Sequence, residues 1–132
     1  MINFLLLISS LYSFSIPITI THKQDLNFGT VVQGDPKKVI SPKGSEPNNA
    51  RFKIKGDINT AYTIILPSQI FISLDGAGNK VIKVNKFTSR PTNGMLNSKG
   101  KQTVKVGATL AKIGVNKPPG NYFGTFTIDV IY

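Results

Sequence analysis

The sequence predicts an all-β chain folded as an antiparallel sandwich or barrel, on three observations. Turn signals supplied by 8 Pro and 12 Gly recur about every 8–12 residues, the spacing of short strands joined by tight connections. No stretch of about 12 residues keeps apolar side chains at i, i+3, i+4 and i+7 without a Gly or Pro inside it. Several segments instead alternate apolar and polar residues, the period that places successive side chains on opposite faces of a sheet. A length of 132 residues with 40% hydrophobic content suits one domain with one core.

The opening 15 residues, MINFLLLISSLYSFS, form an export signal. Residues 4–8 with Leu11 and Tyr12 make an apolar run, and Ser13 and Ser15 are small residues at the −3 and −1 positions of a cut before Ile16. A spanning helix needs about 20 apolar residues, and the serines and Pro17 interrupt this run, so no transmembrane helix remains after cleavage. The region before the apolar run carries no Lys or Arg. Residues 16–132 are then a single exported β-sandwich domain, bound for the periplasm, the cell surface or the medium.

Strands are expected in order. Residues 16–21 alternate Ile16, Ile18 and Ile20 with Pro and Thr. Residues 26–32 and 38–41 follow. Residues 50–55 point Phe52 and Ile54 inward against Arg51, Lys53 and Lys55 outward. Residues 61–66 and 70–74 flank Pro67, and 76–79 (Gly-Ala-Gly-Asn) make a turn. Residues 80–87 are a strand and 90–94 a loop. Residues 102–110 place Val104 and Val106 on one face, Thr103 and Lys105 on the other. Pro118-Pro119-Gly120-Asn121 turns the chain. Residues 122–132 read as one strand with Tyr122, Phe126, Ile128, Val130 and Tyr132 on its apolar face. Burying each of these five contributes roughly 1.5–3 kcal/mol. The expected core is these five with Leu26, Phe28, Phe52, Ile54, Tyr62, Ile64, Val104, Val106 and Leu110. Gly29, Gly56, Gly107 and Gly120 are expected where a Cβ would be unwelcome.

Composition removes several kinds of chemistry. There is no Cys and one His, so disulfides, thiolate sites, cysteine nucleophiles and two-His metal sites are out. His22 has Asp25 three residues on, yet no serine sits in a strained elbow; it reads as an exposed loop histidine. Of the six carboxylates, Asp35, Asp57 and Asp75 sit in turn-like dipeptides, not as a pair in a cleft. No enzyme and no cofactor are expected.

The charge is the unusual feature. Lys and Arg number 16 against 6 Asp and Glu, for a net +10. All but Arg51 and Arg90 are lysines, whereas base readout and bidentate phosphate recognition favour Arg. In an exported chain, nucleic acid is therefore not the expected partner. The lysines serve as a solvating face that keeps sheet edges apart, or as a patch for an anionic surface polymer or lipid, formed by Arg51, Lys53 and Lys55 with Lys101 and Lys105 on the same sheet face or another.

LNFGTVVQGD at 26–35, ARFKIKGDINTAYTIILP at 50–67, VGATL at 106–110 and GNYFGTFTIDVIY at 120–132 together resemble a family of secreted bacterial domains designated domain of unknown function 4402, similar to pilin and spore-coat-U type domains. The net charge departs from that family's generally neutral members. The resemblance implies an immunoglobulin-like, pilin-like antiparallel β-sandwich and a structural or adhesive role at the cell surface. It also implies self-association, or a periplasmic chaperone and usher, through donor-strand complementation. Ile16, Ile18 and Ile20 have the alternation a donor strand needs, and equally that of the domain's own first strand. Against this stands a second expectation, a monomeric lysine-rich module that binds anionic glycans or lipids.

Overall fold

The computed structural model describes residues 17–78 and 80–132. The expected signal peptide at 1–15 and Ile16 lie outside the described residues. Among these residues ten strands run in chain order: β1 (Thr19–Gln24), β2 (Lys38–Ile40), β3 (Ala50–Lys55), β4 (Ala61–Ile65), β5 (Gln69–Leu74), β6 (Val81–Arg90), β7 (Asn93–Met95), β8 (Lys101–Leu110), β9 (Tyr122–Phe123) and β10 (Asp129–Ile131). There is no helix among the described residues.

The strands form two sheets with every pairing antiparallel. The larger has the order β1-β3-β8-β6-β5-β9, with β2 also paired to β8. The smaller has the order β10-β4-β7. The fold is thus the all-β antiparallel sandwich that the alternation predicts. Between the sheets lie Ile18, Ile54, Tyr62, Ile64, Leu96, Val104, Val106, Ile128 and Val130. A second cluster, Ile82, Val84, Ala108, Leu110 and Ile113, lies under β6 and the end of β8. Leu26, Phe28 and Tyr122 pack against this second cluster, and Phe52 and Phe126 against the first.

Three expectations change. Residues 26–32 are not a strand. Gly29 has a φ of 71°, and its N–H donates to Asn27 Oδ1 at 2.7 Å. The N–H of Val32 donates to Asp35 Oδ2 at 2.8 Å. Local side-chain acceptors take the donors that a ladder would use, so the segment becomes an irregular cover for the second cluster.

Residues 122–132 are not one strand but two, in different sheets: β9 pairs β5 and β10 pairs β4. The chain passes from one sheet to the other over residues 124–128, and it leaves β9 at Gly124, where a Cβ would stand 3.0 Å from the carbonyl oxygen of Phe71. The apolar face drawn along this segment splits accordingly. Ile128 and Val130 are buried, Tyr122 and Phe126 half-buried, and Tyr132, expected in the core, is 43% exposed.

The expected loop at 90–94 also differs, because β6 runs on to Arg90 and 93–95 pairs with β4 as β7.

At the amino-terminal end, Ile18 is wholly buried just before β1. A Cβ on Gly56 would lie 2.9 Å from Ile18 Cγ1 and 3.0 Å from Leu96 Cδ1, so Ile18 packs directly on the Gly56 backbone. Ile20 is half-buried against the first cluster and pairs with Ile54. In this chain the segment joins its own β3.

Candidate functional site

The outer face of the larger sheet gathers the basic residues. Cross-strand partners share a face, and β3 and β8 pair Arg51 with Lys105, Lys53 with Thr103 and Lys55 with Lys101. On the flank, β1 sets Thr19 opposite Lys55 and Thr21 opposite Lys53. On the other side of β8, Arg90 of β6 pairs with Lys105. All five basic residues drawn from the sequence therefore share one face, which resolves where Lys101 and Lys105 stand. None of these paired positions carries a carboxylate.

Lys23 joins them. The ladder between β1 and β3 slips between His22 and Gln24, a bulge that leaves Lys23 unpaired on the edge strand. The charges of Lys101 and then Lys55, with partial desolvation and, last, the Lys23 charge, hold the Lys53 ammonium below its usual value. Lys23 and Arg90 were not singled out from the sequence. Alternation within a strand gives the face of each side chain, but only the register says which strands lie side by side.

Arg51 has a different duty. Its Nε–H donates to Asn49 Oδ1 at 3.1 Å, and its Nη2 donates to the carbonyl oxygens of Gly44 at 3.3 Å and Glu46 at 3.2 Å. Asn49, itself fully buried, donates to the carbonyls of Ser41 and Lys43. Arg51 thus clamps the 41–49 loop through its Nε and Nη2 donors. The open part of the face is Lys23, Lys53, Lys55 and Lys101, interleaved with Thr19, Thr21 and Thr103. Lys105 lies at its border, beside Gly44.

The other polar residues serve local structure. His22 lies in β1, not in a loop; its Nε2 stands 2.8 Å from Asp25 Oδ1, and its ring stands 5.7 Å from that of Phe52. Asp35 accepts from Val32 N–H, and Glu46 Oε1 accepts from Asn48 N–H at 3.0 Å. Among the described residues no three His, Asp or Glu side chains cluster as metal ligands do.

A sequence profile of the family described as a domain of unknown function (DUF4402) matches residues 18–132. The chain belongs to the DUF4402 family. The match takes in both sheets from Ile18 onward, so the DUF4402 domain here includes β1 and the sheet that carries the lysines. No curated protein and no solved structure matches the chain.

Proposed function

We propose that this DUF4402 domain is an exported surface module that holds an anionic polymer on Lys23, Lys53, Lys55 and Lys101, without bond-making chemistry. The observation that carries the reading is the in-register cluster of like charges on β1, β3 and β8, strong enough to lower the pKa of Lys53. Lys53 and Lys55 are about 7 Å apart along their strand, and paired side chains across strands about 5 Å. Those spacings are inside the ~8 Å screening length at physiological salt, so the charges repel one another in the free domain. A polyanion that spans them relieves the repulsion and releases counterions. Export is supported by the apolar run and small-residue spacing of residues 1–15.

The test is elution from a heparin column. Retention to sodium chloride well above about 0.15 M is expected. Elution at or below that concentration contradicts the reading.

A second reading rests on a different observation. Among the described residues β1 is an edge strand whose ladder is with β3 alone, which allows it to swap between copies. The domain would then be a pilin-like structural or adhesive subunit, assembled on itself or through a chaperone and usher. Light scattering behind size exclusion distinguishes the two: a single monomer peak supports the module, and a ladder of oligomers supports the subunit.

A further inference from the structure

A second basic site lies on the same sheet, beyond the loop that Arg51 clamps. There β6 carries a bulge: its register against β8 slips between Asn85 and Thr88, and Lys86 inside the slip has a φ of 51°. Left-handed backbone is where Gly or Asn normally sits, and a lysine there is strained. Lys86 lines an open depression of about 400 Å³ together with Lys37, Lys112, Asn85 and Thr109. Asn85 and Thr109 are a cross-strand pair, and the Thr109 side chain is nearly enclosed, with 7% of the residue exposed. Among the described residues no carboxylate lines the depression. Three lysines thus line one concavity together with Asn85 and Thr109, and one of the three holds a backbone conformation that its side chain disfavours.

We propose that this depression binds a sugar phosphate. Ammonium groups grip phosphate as point charges from several directions without needing a planar fork. The volume is in the small-ligand range and exceeds what a bare phosphate fills, which leaves space for a sugar-sized body. The Asn85 amide and Thr109 hydroxyl supply the donors and acceptors that sugar hydroxyls need. The site stands apart from Lys23, Lys53, Lys55 and Lys101, and it does not depend on that face binding a polymer.

The experiment is an NMR titration of the 15N-labelled full chain with glucose 1-phosphate, with free glucose as the control. Saturable shifts are expected at the amides of Asn85, Lys86 and Thr109, and none with glucose. Lys86→Gly keeps the bulge, since glycine accepts its φ, and removes the ammonium. It should weaken binding about tenfold, the effect of one charge-assisted hydrogen bond, with no fall in melting temperature. Lys112→Gln should weaken it as well. The proposal is overturned by no saturation up to about 10 mM ligand, by shifts centred on Lys23, Lys53, Lys55 and Lys101 instead, by equal binding of glucose, or by wild-type affinity in Lys86→Gly.

Discussion

Replacing Ile18 by alanine tests whether the amino-terminal segment belongs to the domain's own core. Ile18 is 0% exposed and packs against the backbone of Gly56 and the side chain of Leu96. The substitution removes three carbons from that space, each worth about 0.8 kcal/mol of transfer free energy. Gly56 has no side chain to move into the gap, and its N–H is held by the Gly100 carbonyl at 2.9 Å, so the cavity stays largely open and adds its own penalty. The expected loss is about 3–4 kcal/mol, inside the roughly 2–5 kcal/mol range of such core truncations. For a domain of this size that is about 15 °C in melting temperature. Urea unfolding followed by tyrosine fluorescence gives the free energy, and calorimetry gives the midpoint. A loss under about 1 kcal/mol would refute the reasoning, because it would mean that β1 contributes little to its own domain and is free to act elsewhere.

Four further perturbations have definite outcomes. The Tyr62 hydroxyl is buried without a hydrogen-bond partner among the described residues, so Tyr62→Phe should stabilise the domain by about 1 kcal/mol. Burial also raises the Tyr62 pKa above its ordinary 10.0; the folded state therefore holds the proton longer than the unfolded one, stability falls as pH rises past 10, and the advantage of Tyr62→Phe should widen there in a pH series of melts. A Cβ at Gly107 would run into the Ile40 carbonyl oxygen where β2 meets β8, so Gly107→Ala should cost about 3 kcal/mol, read by urea unfolding. Phe126 is half-buried, edge-on to Phe52 at 6.3 Å and 5.1 Å from Phe87; Phe126→Ala should cost about 2–3 kcal/mol, below the roughly 3–5 kcal/mol of a fully buried ring. Lys53→Gln should raise the melting temperature at low salt by relieving repulsion from Lys101, Lys55 and Lys23, and the gain should shrink as added salt screens those charges.

Alternation was the legible part of this chain. It placed Ile54, Val104 and Val106 inward, and it found β3 to the residue, because a half-buried strand writes its two faces into every second position. It failed where both faces of a segment are apolar or where a chain changes sheets. Residues 122–132 look like one long strand because Tyr122, Phe126, Ile128 and Val130 all touch core, yet Tyr122 touches the second cluster and the other three touch the first. Residues 26–32 carry strand-forming side chains, but Asn27 and Asp35 offer nearer hydrogen bonds. The basic face was half legible. Each lysine's direction followed from its own strand, whereas the meeting of Lys53, Lys55 and Lys101, the addition of Lys23 and the diversion of Arg51 into the 41–49 loop depend on register and on contacts distant in sequence. The left-handed Lys86 carried no local signal at all, since nothing in its neighbours marks a bulge.

The most direct test of the lysine face separates position from net charge. Heparin affinity is measured by titration calorimetry at several salt concentrations for wild type, for the triple variant Lys53→Gln, Lys55→Gln, Lys101→Gln, and for a control triple, Lys38→Gln, Lys43→Gln, Lys80→Gln, with the same loss of charge. The face variant should lose most of its affinity and nearly three units of the slope of log affinity against log salt, one for each counterion-releasing contact removed, while the control stays close to wild type. Equal weakening in the two variants would contradict the account, because affinity would then follow the overall charge of the domain and not the arrangement on β1, β3 and β8.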